Sequence, residues 1–179
     1  MTARQAAALA AFVRLARHPL LRPGKPVLAG TFPLGLDVRG SDLDVIVHAP
    51  DPARFAGRLA RTFGHRPGFR MRLRNLDGRP ALVARFLESG FPVEVVVQAR
   101  PARAGRAVRH LLVEARLLRL GGAGLRRCVR ALKIRGVKTE PAFARCLGLE
   151  ENPYEALLDL EGRTDAELTR AVRQARAVE

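Results

Sequence analysis

The chain is short of acid, of lysine, of cysteine and of long apolar runs, and each shortage narrows what it does. Among its 179 residues, 32 are Lys or Arg against 17 Asp or Glu, and the formal net charge is +15. A balance this basic excludes a cationic partner and points to an anionic one: nucleotide phosphates, RNA or an acidic protein. Of the 32 basic residues 29 are arginine; because arginine excess also follows GC-rich codons, the distribution tells more than the total. Residues 99–138 hold twelve Lys or Arg and one acid, Glu114, whereas 150–161 is acidic. The basic stretch contains no Phe, Trp or Tyr, which lowers the reading of a base-stacking single-strand binder without removing it. Cys128 and Cys146 fall in helix-like sequence and match no metal-ligand spacing, so a reduced cytoplasmic compartment is the simplest reading, and neither suits a nucleophile. No apolar run approaches the roughly 18 residues of a membrane span. The N-terminal MTARQAAALAAFVRLARHP carries arginine throughout, so an untargeted, soluble protein is expected.

What is present reads as one folded unit. A chain of this length can bury roughly 70% of its unfolded surface. Thr2 with Gln5 forms a capping-box pattern, and Leu9, Phe12, Val13 and Ala16 recur at helical spacing, which predicts a helix over 3–17 ended by His18 and Pro19. PVLAG reads as a strand, TFPLGLDVRGS as a Gly/Pro-punctuated loop and LDVIVHA as a second strand; Asp51 and Pro52 then start a helix to about Phe63. FRMRLRN, ALVARFLES and PVEVVVQ are three more strands joined by Asp77-Gly78 and Ser89-Gly90 turns, a meander whose inner faces alternate with arginines. After Pro101 the pattern is helical, with Val108, Leu111, Leu112, Ala115 and Leu118 on one face and Arg106, Arg109, His110 and Arg116 elsewhere; Gly121 and Gly122 break it. Leu125, Cys128, Val129 and Leu132 make the next stripe, Thr139 reads as the cap of a short helix, and Thr164 with Glu167 opens a last helix. The fold class is α+β: a mixed sheet with flanking helices and a C-terminal helical segment, arranged as a 1–100 core and a 101–179 helical part packed on it as a single compact unit.

The chemistry concentrates in Leu28-Ala29-Gly30-Thr31 followed by Asp42-Leu43-Asp44-Val45. Residues two apart on a strand share a face, so Asp42 and Asp44 stand side by side, and a divalent cation relieves their repulsion. Leu43, Val45 and Val47 face the core, while Ile46 continues the carboxylate face. Gly30 leaves its backbone open to close approach, and Thr31 adds a hydroxyl suited to phosphate oxygens. Glu94 interrupts the apolar run Phe91 to Val97, where an ionised carboxylate is costly unless paired or metal-bound. If that strand lies beside Asp42's strand, three carboxylates converge on a two-metal site. Ser41 suits either a phosphate contact or the capping of the turn before Asp42, and Asp37 reads as a turn-stabilising acid. Arg85, midway along a strand, calls for an anionic partner and pairs with Glu94 when metal is absent. Arg106, Arg109, Lys133 and Lys138 are candidates for a triphosphate or acceptor against the plain reading of a solvated basic face. His110, Tyr154 and Phe143 read as surface or packing residues.

At these residues the sequence resembles the nucleotidyltransferase superfamily, the polymerase-beta-like fold, whose pattern is a hydrophobic residue, Gly, Gly or Ser, a loop, Asp-x-Asp or Asp-x-Glu, and a later strand carboxylate. The strings GTFPLGLDVRGSDLDVIV, GFRMRL, FPVEVVVQ and KTEPAFARCLGLE look like an uncharacterised bacterial branch of it, over roughly 26–158. Thr31 departs from the usual Gly or Ser but keeps a hydroxyl. The resemblance implies that Asp42 and Asp44 bind both metals, Mg²⁺ or Mn²⁺, that Glu94 completes the site and acts as base, and that Gly30 and Thr31 hold the triphosphate. Ser41, Arg85 and Lys133 join them as nucleotide-binding candidates. The expected activity moves a nucleoside monophosphate from a nucleoside triphosphate such as ATP to a hydroxyl. The compact size ranks a small molecule or protein as acceptor ahead of RNA. The rival readings are a non-catalytic nucleotide- or RNA-binding module and an RNA-directed nucleotidyltransferase.

Overall fold

A computed structural model describes residues 1–176 and divides them into two units, 1–108 and from Arg109 onward. In the first unit the elements are α1 (Ala3–Arg17), β1 (Val27–Ala29), α2 (Thr31–Leu34), β2 (Leu43–His48), α3 (Pro52–Phe63), β3 (Arg70–Leu76), β4 (Arg79–Glu88) and β5 (Phe91–Gln98). The Thr2–Gln5 capping box that starts α1 is formed, and Asp51 accepts the Arg54 N–H at the start of α3. The helix α2 departs from expectation, since Thr31–Leu34 makes a helical turn where the sequence reads as a loop. Pro33 sits in that first turn, where its missing N–H costs nothing, and Gly35 closes it at φ 64°.

The five strands lie in the order β1-β2-β5-β4-β3, antiparallel except for the parallel pair β2 and β5. Asp77-Gly78 and Ser89-Gly90, all at positive φ, close the β3–β4 and β4–β5 hairpins. One face of the sheet buries Leu43, Val45, Val47, Leu82, Ala84, Phe86, Val93, Val95 and Val97 against Ala8, Ala11 and Leu15 of α1 and Leu59 and Phe63 of α3. Each large apolar side chain so buried stabilises the unit by about 1.5–3 kcal/mol, and Phe63 stacks on Phe86 at 5.2 Å. The other face carries a smaller cluster of Ala29, Ile46, Val83, Val96, Ala102 and Val108. Because side chains alternate along each strand, that second face is also the one that carries Asp44 and Glu94.

The helix α4 (Arg106–Ile134) begins at the end of the first unit, and the second holds the rest of it with α5 (Thr139–Leu147), α6 (Pro153–Leu158) and α7 (Asp165–Arg176). Gly122, at φ 58° and ψ −149°, kinks α4 where the sequence places a break. Thr164 and Glu167 form the capping box of α7. Lys138, not Thr139, is the N-cap of α5, since its backbone is still extended at φ −64° and ψ 161°; Thr139 is the first helical residue and its hydroxyl accepts from Lys133 Nζ at 2.9 Å. Cys128 and Cys146 are joined in a disulfide, which corrects the reading of two separate reduced thiols; the Cα atoms meet at 6.0 Å although 18 positions separate them in sequence. A loop of that length contributes about 3 kcal/mol in the chain-entropy account. No helix among the described residues is long and apolar enough to cross a membrane.

The buried stripe of α4 also differs from the sequence reading: Leu112 is exposed, whereas His110 and Glu114 are buried beside Val113, Leu117 and Leu118. His110 Nε2 lies 2.8 Å from the Tyr154 carbonyl, a fixed partner that makes the inward position tolerable. Glu114 Oε1 has no hydrogen-bond partner. Desolvation, reinforced by Glu140 and opposed by Lys133, holds its carboxyl well above the usual glutamate range. An acid raised in the folded state favours folding fully below its unfolded pKa, and that advantage is lost as pH rises through the folded value. Glu114→Gln is therefore expected to gain about 1 kcal/mol or more over the parent at pH 7, with the difference closing by pH 4. Urea unfolding across that range measures it, and a variant less stable than the parent at pH 7 would show that the glutamate is ionised and paired.

Candidate active site

The site is assembled at one end of β1, β2 and β5. Register places Ala29 opposite Asp44, Asp44 opposite Glu94, Glu94 opposite Arg85 and Arg85 opposite Arg70, so one row of residues crosses all five strands. β5 lies parallel to and directly beside β2, and this brings Glu94 next to Asp44 across fifty positions of sequence. Asp42 precedes β2 and, like Asp44, is half-buried.

Gly30 follows β1 at φ 70° and ψ −148°, a region essentially confined to glycine. A Cβ built there would lie 2.0 Å from Asp44 Oδ2, so the carboxylate occupies the space that any other residue would fill. Thr31 is buried, at 8% exposure, as the first residue of α2. Ser41 Oγ accepts the Val38 N–H at 2.9 Å, which is the turn-capping arrangement. Asp37 is held by α1, accepting Gln5 Nε2 at 2.7 Å with Arg4 Nε at 3.5 Å.

Arg85 donates through Nε and Nη2 to one oxygen of Glu94, and the half-exposed guanidinium neutralises a carboxylate that is only 19% exposed. The strand arginine thus has its anionic partner. Among the described residues no group of three or more His, Cys, Asp or Glu side chains is gathered closely enough to hold a metal ion. The donor set at Asp42 and Asp44 is all carboxylate oxygen, the chemistry that suits Mg²⁺ or Mn²⁺, and the glycine-only space at Gly30 keeps the backbone close to it.

Several basic residues considered as ligand groups have structural partners instead. Arg106 lies 3.6 Å from Asp77, and Arg109 reaches Glu161 at 2.5 Å. Lys133 belongs to the second unit, where it donates to Thr139. Conversely, Arg70 and Arg72 are site-face residues that the sequence does not reveal. The Arg-Met-Arg-Leu-Arg alternation puts the arginines on one side of a strand, but which side faces the carboxylates follows only from pairing with β4.

None of the curated proteins matches the chain in sequence. Among solved structures it is similar to the Cid1 poly(U) polymerase with MgGTP bound, at 15% identity over 82% of this chain and 50% of that one, with a TM-score of 0.61. It is also similar to the GLD-2/RNP-8 complex, at 12% identity over 97% and 78% of the two chains and a TM-score of 0.59. A cytoplasmic RNA terminal U-transferase aligns at 18% identity over 88% and 46%, with a TM-score of 0.53. The chain spans about half the length of the Cid1 polymerase, and at these identities the likeness is one of fold: an α+β mixed sheet with flanking helices, as in those nucleotidyltransferases. The family described as domain of unknown function DUF4269 matches residues 13–160, and the chain belongs to that family.

Proposed function

We propose that the protein is a metal-dependent nucleotidyltransferase that moves a nucleoside monophosphate from a nucleoside triphosphate to a hydroxyl acceptor. The observation that carries this reading is the juxtaposition of Asp44 with Glu94 on parallel neighbouring strands beside the glycine-only backbone of Gly30. The fold shared with nucleotidyltransferases of known structure supports it. Asp42 and Asp44 would hold Mg²⁺ or Mn²⁺, with Glu94 as a third ligand once Arg85 has turned away. Bound metal supplies charge neutralisation on the phosphates and acidifies the attacking hydroxyl.

The chain's own residues do the rest. The open backbone at Gly30 and Thr31 approaches the triphosphate, and Ser41, on the loop that leads into β2, joins them in the nucleotide-binding set. Glu94 takes the proton from the acceptor hydroxyl. The acceptor oxygen bonds to the α-phosphorus, the bond from that phosphorus to its bridging oxygen breaks, and pyrophosphate leaves. Arg85 neutralises Glu94 before substrate binds and turns to an anionic substrate oxygen afterwards. A triphosphate donor points to the cytoplasm, where the Cys128–Cys146 pair would be exposed to reduction.

The test is to heat the protein with Mg²⁺ and each of ATP, GTP, CTP and UTP, then to incubate it with α-labelled triphosphates and a cell extract. A rise in melting temperature with at least one triphosphate and label transferred to an acceptor are expected. Absence of both would refute the assignment. The Arg85–Glu94 ion pair favours one alternative, a binding module in which the carboxylate is permanently occupied. That reading predicts the melting shift without any transfer.

A further inference from the structure

The face that carries Asp44 and Glu94 also carries cations that the chemistry above does not use. Arg70 pairs in register with Arg85, Arg72 with Val83 and Arg74 with Ala81. Val83 packs with Ile46 and Val96 in the cluster on the carboxylate side, so strand alternation turns all three β3 arginines to that side. All three are exposed, and none pairs with an acid among the described residues. Arg85 is neutralised by Glu94, but Arg70, Arg72 and Arg74 stand about 6.7 Å apart along the strand with their repulsion uncompensated. A cavity of about 370 Å³ opens beside Arg70 and Arg72, lined by Arg70, Met71, Arg72, Val83 and Arg85.

Three guanidinium groups in line suit a ligand that presents anions in line, each fork donating two hydrogen bonds to a phosphate. The repeat is of the same order as the spacing of phosphates along an extended nucleic-acid strand. The charged side chains of this edge strand discourage the addition of a peptide strand, which weighs against an acidic protein segment. β3 lies three strand spacings from β2, roughly 14 Å, and the row Arg70-Arg85-Glu94-Asp44 connects them. We propose that Arg70, Arg72 and Arg74 bind the phosphate backbone of a single-stranded oligonucleotide acceptor and lead its terminal hydroxyl toward Asp44 and Glu94. The second clause rests on the nucleotidyltransferase reading; the first does not. This places a nucleic-acid strand ahead of the small molecule or protein that chain size alone favours. With no aromatic residue on β3 to stack a base, recognition is of the backbone, so binding tolerates any sequence and depends steeply on salt.

The experiment measures binding of a fluorescein-labelled, mixed-sequence 15-nucleotide RNA by anisotropy at several salt concentrations, without triphosphate. It compares the full chain with R70A/R72A/R74A and with R54A/R58A/R61A, which removes the same charge from α3 on the other side of the sheet. The β3 variant is expected to bind at least about tenfold more weakly at 0.1 M salt, with the slope of log affinity against log salt reduced by about 2. The α3 variant should stay within about threefold of the parent by the same electrostatic reasoning. Should the triple variant fail to fold, Arg72→Glu alone carries the test, with the same tenfold loss expected. Equal losses in both triples would mean that net charge alone attracts RNA, and no loss in the β3 variant would remove the track; either overturns the proposal. So would a 15-residue polyglutamate that binds as tightly as the RNA and loses binding through the same arginines. The triphosphate melting shift, measured on the same proteins, reports separately on the enzyme reading, so failure of one is distinct from failure of the other.

Discussion

Asp44→Asn is expected to lower nucleotidyl transfer about a thousandfold or more, equivalent to about 4 kcal/mol of transition-state stabilisation. The asparagine keeps the size and shape of the side chain and removes only its charge. Asp44 stands between Gly30 and Glu94, with Asp42 two positions upstream on the same strand path. A divalent cation held by Asp42 and Asp44 would lose one of its carboxylate ligands and most of its affinity. Stability should change by less than about 1 kcal/mol, because the asparagine keeps the size and shape of a half-buried side chain. Thermal melting and the labelled-transfer assay together separate these effects. Transfer within tenfold of the parent, in a variant that still folds, would show that the charge of Asp44 is not used in the reaction.

Gly30→Ala is the second large effect and acts through geometry instead of charge. Its backbone, at φ 70° and ψ −148°, lies where a side chain costs about 1–3 kcal/mol. The new methyl would begin 2.0 Å from Asp44 Oδ2. A carboxylate at the end of a side chain moves more readily than backbone, so the fold is expected to survive with Asp44 displaced. A displacement of about 1 Å at reacting groups costs on the order of 100-fold in rate. We expect that loss together with a lower melting temperature. Gly40→Ala serves as the comparison, since its added methyl meets nothing within 4 Å although its φ is also positive, at 87°. Gly40→Ala should cost stability alone, and equal rate losses in the two variants would attribute the Gly30 effect to backbone strain and not to Asp44.

Both residues are legible in the amino-acid sequence. The Gly30-Thr31 pair and the Asp-x-Asp segment are local patterns, and the alternation that puts Leu43, Val45 and Val47 in the core and Asp44 with Ile46 on the other face is a property of one strand. Glu94 is half legible: its isolation in an apolar strand calls for a partner, and both Asp44 and Arg85 are beside it in register. The burial of His110 and Glu114 is not legible, because a long amphipathic pattern with apolar residues on several sides leaves the buried stripe ambiguous by one position per turn. The disulfide is invisible for a different reason, since Cys128 and Cys146 lie on separate helices whose packing no spacing rule specifies.

Local rules by themselves determined where α1, α3 and α7 begin, through the Thr2, Asp51 and Thr164 caps, and where the two hairpins turn, through Asp77-Gly78 and Ser89-Gly90. They also fixed which residues share a face within each strand. Only the tertiary structure decided which strands are neighbours: β5 beside β2 in parallel, β4 beside β5, and β3 at the edge. That choice puts Glu94 next to Asp44 and sets the β3 arginines on the carboxylate side. The physical reason is one of range. A cap, a turn or a two-residue alternation is settled by groups a few positions apart, whereas strand order depends on burying the apolar sheet face against α1 and α3 together with strands distant in sequence.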